Sequence, residues 1–232
     1  MDFKPIQKEK MYQKVIQQVK QMIYCGQLKK GDKLPAERTL AVQLGVSRNS
    51  IREAFSALEL LGILDSRQGE GSFVSNEPLR NASVEPLSIL FMLEDNAESQ
   101  LIDLRRILEA ECAFLAAQSA SEKDINLLRE CISEFEQNSI DENFSTKVDR
   151  IFHFTVAKAS GNVLLYYLYS AISETLNFNI KNMRSKIIYE PANIELLLGQ
   201  HRQIYQHIAR RNPLEARQAM LEHIEFIKSY VK

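Results

Sequence analysis

The sequence predicts a mainly α-helical protein, with an N-terminal winged helix-turn-helix followed by an all-helical bundle. Between residues 34 and 74, two short helical patterns joined by a glycine turn precede a β-hairpin pattern. From residue 98 onward, apolar residues recur at helical spacing without strand-like alternation. A polar stretch with two prolines, residues 76–86, separates these patterns. We therefore expect a first domain over 1–76, a linker and short helix over 77–97, and a second domain over 98–232.

The composition is that of an ordinary soluble protein, but its charge is unevenly divided. The chain has 232 residues, 45% hydrophobic and 25% charged, which is enough for two modest domains. Residues 1–76 hold twelve Lys and Arg against eight Asp and Glu, a net charge of +4, and the remainder carries −5. A basic first domain on an acidic second one is expected when only the first meets nucleic acid.

Cysteine usage and hydropathy argue against a secreted protein and against a membrane protein. The three cysteines are scattered and lack CxxC spacing, so we expect reduced thiols in a cytoplasmic protein. No apolar run is long enough to span a bilayer, and no signal peptide is apparent.

The first domain reads as three helices. After a loose arm over 1–7, the first helix runs from Lys8 to a closing Gly26. The second has Pro35 at its first position and ends at the turn glycine Gly45. Ser47 is a natural N-cap for the third, and a C-cap glycine, Gly62, ends it. The inner face of this third helix is apolar and comprises Ile51, Ala54, Phe55, Leu58 and Leu61.

A β-hairpin should follow the third helix. Its predicted arms are residues 63–67 and 72–75. Gly69, Glu70 and Gly71 lie between them, and glycines at such positions are typical of a hairpin tip. The hairpin would be the wing.

The outward side of the third helix carries the residue types that read DNA. Arginine binds guanine or phosphate, asparagine suits adenine, and serine bonds to either kind of group. Such residues cluster at the N-terminal end, which a recognition helix inserts into the major groove. They are Ser47, Arg48, Asn49, Ser50 and Arg52, with Arg38 one helix earlier in reach of the backbone.

These motifs resemble the DNA-binding domain of GntR-type bacterial transcription regulators. The similarity spans roughly residues 8–76 and rests on PAER, LGVSR, IREAF, GIL and QGEGSFV. It implies a homodimer on a palindromic double-stranded operator, contacted by the arginines at 38, 48 and 52 and by the wing-tip Gly69. Gln68 stands where related proteins carry His or Arg, and is the remaining wing candidate.

The second domain is expected to contain a series of amphipathic helices. A possible short helix over Ser88–Leu93 precedes them. Ser121 and Asp124 form a capping-box pattern at the entry to one helix. The predicted ranges are 98–117, 122–138, 144–159, 163–187, 194–211 and 213–231.

Three histidines and one aspartate suggest a metal site in this domain. Asp149 and His153 lie four residues apart, hence on one helical face. His201 is expected to open the next-to-last helix, and His223 lies in the middle of the last. Imidazole and carboxylate donors suit a divalent ion such as Zn²⁺, Ni²⁺ or Mn²⁺. A DxxxH pair can equally be a surface charge pair, and His207 lies on a different helical face from His201.

The second domain is similar to the effector domain of the FadR subfamily. The segments DLRRILEAECAFLAA, VDRIFHFTVAKASGN and GQHRQIYQHIARRNPLEARQAMLEHI carry the resemblance. It implies that Asp149, His153, His201 and His223 bind a divalent ion. It further implies that Arg105 anchors an effector carboxylate, although Arg105 or its neighbour Arg106 can also be a surface or interface charge. Asn177, and more weakly Asn179 and Arg184, are further cavity candidates.

The combined interpretation is a metabolite-responsive transcription regulator, a repressor released by a small organic acid bound at the metal. One alternative keeps the regulator but makes the metal purely structural and the effector larger, such as an acyl thioester. Another is a metal-dependent enzyme tethered to DNA. Against the enzyme, the sequence has no nucleophile motif and no phosphate-binding glycine loop.

Overall fold

The computed structural model describes residues 10–78, 93–94, 97–138, 142–173, 187 and 190–230. The chain divides into two compact units, Met1–Ser83 and Val84–Lys232. The predicted N-terminal arm, and nearly all of the predicted linker and of the short helix at Ser88–Leu93, lie outside the described residues. In the described part of the chain, no helix is long and apolar enough to cross a membrane.

The first unit is a winged helix-turn-helix, as predicted. One start differs: helix α2 begins at Glu37 with Ala36 as its N-cap, so Pro35 lies before the helix rather than at its first position. Ser47 is the N-cap of α3, as expected, and accepts a hydrogen bond from the Ser50 N–H at 3.1 Å. The elements are α1 (Met11–Tyr24), α2 (Glu37–Leu44), α3 (Arg48–Leu60), β1 (Leu64–Arg67) and β2 (Gly71–Val74).

One apolar core holds these elements together. Gly45 takes a left-handed conformation (φ 63°), which lets the chain turn sharply from α2 into α3. The core receives side chains from all three helices, from the segment before α2 and from both strands. Its buried members are Val15, Val19, Leu34, Ala41, Ile51, Ala54, Phe55, Leu58, Leu64 and Val74.

The wing is a two-stranded antiparallel hairpin. It pairs Leu64 with Val74 and Arg67 with Gly71, so the first arm is one residue shorter than predicted. The second arm and the tip, residues 68–70, each lie one residue earlier than predicted. Gly69 has φ 78°, a conformation that favours glycine at such a tip. The segment before α2 adds pairing that the sequence did not reveal: the Leu34 N–H donates to the Ser72 carbonyl at 2.9 Å. This pairing ties the wing to the helix-turn-helix.

The described residues of the second unit are helical or lie in short connections. The capping box is confirmed, since Ser121 Oγ accepts from the Asp124 N–H at 3.2 Å and Asp124 accepts from the Ser121 N–H at 3.0 Å. Residues 163–173 are helical. The other elements are α4 (Ala97–Ser119), α5 (Glu122–Asn138), α6 (Glu142–Ala159), α7 (Pro191–Ala209) and α8 (Pro213–Lys228).

Helix α7 begins at Pro191, earlier than predicted, and this moves one candidate ligand. His201 therefore lies in the interior of α7 and does not open it, which corrects the expectation. Helix α4 packs against α6, α7 and α8, and α5 packs against α6 and α7. Large side chains fill the space between these helices without contact with solvent, among them Phe152, Leu128, Ile204, Met220 and Ile224. The candidate histidines are buried in this same core.

Candidate functional site

Five of the DNA-binding candidates of the first unit, Ser47, Arg48, Asn49, Ser50 and Arg52, lie at the N-terminal end of α3. Ile51 and Leu58 anchor the opposite side of that helix in the core. Ser50 is half-buried, whereas the other candidates on the helices are exposed: Arg38, Ser47, Arg48, Asn49 and Arg52. We call the polar surface formed by Ser47, Arg48, Asn49, Ser50 and Arg52 the α3 surface.

Two contacts order this surface. The Arg52 guanidinium donates to Asn49 Oδ1 at 3.3 Å, one turn apart on α3. Ser47 Oγ lies 2.9 Å from Ser50 Oγ, in addition to its cap hydrogen bond. The hydroxyl of Ser47 is thus engaged locally, and Arg48 has the larger reach toward a ligand.

Both wing-tip candidates, Gln68 and Gly69, are exposed. Next to them, Arg67 lies over the Phe73 ring with 4.5 Å between its guanidinium carbon and the ring centroid. Arg67 also approaches Glu70 at 3.7 Å. These contacts stiffen the arms just below the tip.

In the second unit, three helices bring the predicted histidines together. His153 from α6, His201 from α7 and His223 from α8 are at most 1% exposed. One ring nitrogen of each lies within 4.8 Å of the others, and the Nε2 atoms of His153 and His223 are 3.3 Å apart. We call these residues the histidine cluster. His207 is not one of its members.

The opposite nitrogen of each ring faces an oxygen. His201 Nδ1 lies 2.8 Å from the Leu197 carbonyl, and His223 Nδ1 lies 3.0 Å from Gln200 Oε1. His153 Nδ1 contacts the Glu109 carboxylate. Carbonyl oxygens and ionised carboxylates only accept hydrogen bonds, so the ring hydrogen resides on Nδ1 in all three cases. In the neutral form of each ring, Nε2 therefore carries the lone pair that can bind an ion.

Burial reinforces this arrangement. It lowers the pKa of His201 and, further, that of His223, whose pKa neighbouring His201 also lowers, so both rings are neutral at physiological pH. Asp149 Oδ1 lies 3.2 Å from His201 Nε2 and 4.0 Å from His153 Nε2. Lone pairs and a carboxylate converging in a buried space repel each other unless a cation lies between them. The donor set therefore fits a divalent ion.

A buried ion pair lies behind this cluster. On α4, Arg105 contacts Glu109 one turn away, and both side chains are almost fully buried. Burial alone would raise the pKa of Glu109, but the charges and contacts of Arg105 and His153 together outweigh it and lower the pKa to about 2. Burial likewise opposes a charged Arg105, and Glu109 reverses the effect, so the Arg105 pKa is raised.

The geometry separates the two adjacent arginines. Arg106 has a side chain 38% exposed and approaches Glu225 at 3.4 Å, so Arg106 is the surface charge and Arg105 the interior one. Sequence reasoning missed Glu109. The spacing of four residues between Arg105 and Glu109 indicates a pair on one helical face, but it does not indicate the contact with His153.

The remaining effector candidates cannot be placed in this way. Asn177, Asn179 and Arg184 lie outside the described residues. Within the described part of that stretch, Tyr169 is buried, and its burial and the charge of Glu109 raise its pKa, so its hydroxyl stays protonated.

Comparison with known proteins identifies both units. Residues 11–74 match the model of bacterial regulatory proteins of the gntR family, and residues 100–226 match the FCD domain. The chain belongs to the GntR family of bacterial transcription regulators. It is a DNA-binding regulator with an FCD domain, and its relatives are regulators rather than enzymes.

Individual relatives align over most of both chains. The HTH-type transcriptional regulator LutR of Bacillus subtilis is 33% identical over 88% of this chain and 93% of its own. A putative L-lactate dehydrogenase operon regulatory protein of Escherichia coli is 32% identical over 94% of this chain and 85% of its own. Among solved structures, a GntR protein of Streptococcus agalactiae has 30% identity and a TM-score of 0.67, covering 94% of this chain and 99% of that chain.

Proposed function

We propose that this regulator is a repressor released from its operator by a small organic acid bound at a metal ion in the second unit. Asp149, His153, His201 and His223 would hold the ion, which is Zn²⁺, Ni²⁺ or Mn²⁺. The observation that carries the proposal is the convergence of three buried Nε2 atoms whose Nδ1 partners only accept hydrogen bonds. Such acceptor partners are typical of metal-binding histidines.

The class of effector follows from the charges around this site. As ligands, three histidines and one carboxylate would leave a divalent ion with a net positive charge and free coordination positions. The ion would supply a Lewis-acid contact to a carboxylate and to a second oxygen on the adjacent carbon. Arg105, which is buried on α4, is the proposed second anchor for the effector carboxylate. Asn177 remains a proposed contact of the effector, because the sequence makes it a candidate for lining the cavity.

DNA binding is assigned to the first unit. We propose that the α3 surface reads the major groove, with Gln68 and Gly69 of the wing alongside. Because each copy presents one α3, two copies would read a palindromic operator as a homodimer. Residues 98–232 would provide both the effector site and dimerisation, and the protein would act in the cytoplasm.

The effector changes operator binding only if it binds the released and operator-bound arrangements with different affinity. The Escherichia coli relative is named for an L-lactate dehydrogenase operon, so 2-hydroxy acids are the first class to test. An operator fragment would be selected from a random-sequence library with the zinc-loaded protein. L-lactate, pyruvate and propionate would then be titrated into the complex.

Propionate is the matched control, because it has the carboxylate but no oxygen on the adjacent carbon. Release and a thermal upshift with lactate or pyruvate, but not with propionate, are expected. No response to any 2-hydroxy or 2-oxo acid would contradict the proposed effector class.

A chelator distinguishes this proposal from the alternative in which the metal is purely structural. If the ion contacts the effector, removing it abolishes the response to the acid while the helical circular dichroism persists. If the ion is structural, chelation unfolds the second unit instead, or leaves the response to a larger effector such as an acyl thioester intact.

A further inference from the structure

Behind the histidine cluster, three buried side chains form a continuous line from α4 to α6. Arg105 contacts Oε1 of Glu109, and Oε2 of Glu109 contacts Nδ1 of His153. Their exposures are 3%, 1% and 1%. Glu109 thus lies between Arg105 and His153, with one carboxylate oxygen next to each neighbour.

The position of Glu109 excludes a role as a direct ligand. It approaches His153 at Nδ1, whereas His223 approaches the same ring at Nε2. The imidazole ring thus lies between the Glu109 carboxylate and the point where the Nε2 atoms converge. A carboxylate in this position acts on the ion only through the ring.

Its physical effect on the ring is twofold. Because an ionised carboxylate only accepts, it holds the hydrogen on Nδ1 and leaves the Nε2 lone pair for a ligand. It also fixes the ring orientation and increases the donor strength of Nε2, as outer carboxylates do for metal-binding histidines. Arg105 holds the carboxylate in place, since it lies four residues away on the same helix.

We propose that Glu109 is a positioning residue for metal binding, orienting His153 through Nδ1 while Arg105 orients Glu109. This inference rests on the proposed function, because it requires that His153 bind an ion. It assigns to Glu109 a role distinct from that of the predicted ligands and gives Arg105 a second task besides anchoring an effector.

The test compares metal binding by the full-length wild type, Glu109→Gln and a matched control. Glu111→Gln is that control: it lies on the same α4 and also pairs with an arginine, Arg217, but it is partly exposed and faces no histidine. Zinc affinity would be measured by competition with a chromophoric chelator. The visible spectrum of the cobalt-substituted protein would report the ligand geometry directly, which a merely structural change would not move.

Glu109→Gln is expected to weaken zinc binding about 10- to 100-fold and to change the cobalt spectrum. Glu111→Gln should leave both as in the wild type. Because Glu109→Gln leaves Arg105 buried without a charged partner, it can fail to fold. The double variant Arg105→Met/Glu109→Gln removes both charges and should show the same loss of affinity in a folded protein.

Wild-type zinc affinity and an unchanged cobalt spectrum in a folded variant lacking Glu109 would overturn the inference and leave the proposed metal site standing. A wild-type protein that binds neither zinc nor cobalt would overturn both. The two failures are therefore distinguishable from the same set of measurements.

Discussion

The two proposed sites of this protein are built in opposite ways. The α3 surface comes almost entirely from one helix and the residue before it, and most of its side chains are exposed. The histidine cluster draws one residue from each of α6, α7 and α8 and is almost fully buried, as is the Arg105–Glu109 pair on α4 behind it. One site is local and solvated, whereas the other exists only once the helices have packed.

This difference separates function from stability in the first unit and couples them in the second. An exposed polar side chain on α3 contributes little to folding, so its replacement should change DNA binding alone. A buried charge in the second unit is balanced by a specific partner, so its replacement should also change the free energy of unfolding. The following predictions test that contrast, starting with the largest effect.

Arg105→Ala should lower the free energy of unfolding by about 3–5 kcal/mol, because it leaves the Glu109 carboxylate buried without its charged partner. Arg106→Ala is the matched control on the neighbouring position. It breaks only a partly exposed pair with Glu225 and should cost less than about 1 kcal/mol. Urea denaturation followed by circular dichroism measures both. Equal losses in the two variants would contradict the distinction between the interior and surface arginine.

Arg48→Ala should abolish sequence-specific operator binding while leaving the fold and the dimer intact. Losing one arginine contact to a base costs about 1–3 kcal/mol for each copy of α3, and a dimer would lose two. Fluorescence anisotropy with the selected operator measures the loss, and urea denaturation should show no change in stability.

Lys20→Ala provides the control for charge alone, since Lys20 is exposed on α1 and outside the proposed surface. It should weaken binding slightly and equally for operator and unrelated DNA. If Arg48→Ala retained sequence-specific binding, α3 would not be the recognition helix.

Ser47→Ala should destabilise the first unit by about 1 kcal/mol, because it removes the N-cap hydrogen bond to the Ser50 N–H. Ser56→Ala, an exposed position within the same helix, should stay within about 0.5 kcal/mol of the wild type. Thermal unfolding of both variants gives the comparison. Identical unfolding curves would show that the cap contributes nothing to stability.

Features that depend on contacts between residues close in sequence were predicted correctly. The bounds of α5, Glu122–Asn138, agree with the prediction because Ser121 and Asp124 cap each other over three residues. The N-cap at Ser47 and the turn at Gly45 follow from the same kind of short-range signal. The start of α7 was misjudged, since Pro191 at the first helical position was overlooked.

Features that depend on the packing of helices could not be predicted from the sequence. Glu109 acquires its role only when α4 and α6 bring it to His153, and no spacing in the sequence relates residues 109 and 153. The sequence also gives no sign that Leu197 and Gln200 contact His201 and His223. Leu197 acts through its backbone carbonyl, and Gln200 is a common surface residue type. The pairing of residues 31–34 with the second arm of the wing involves a few backbone hydrogen bonds without any periodic pattern in the sequence.

The central claim is that the histidine cluster holds a divalent ion, and elemental analysis tests it most directly. The protein would be purified without chelators or metal-affinity resin, beside His153→Ala/His223→Ala and the control His207→Ala, which changes a histidine outside the cluster. The account predicts about one divalent ion per chain in the wild type and the control, and none in the folded double variant. No ion in any of the samples, or equal amounts in all three, would contradict it.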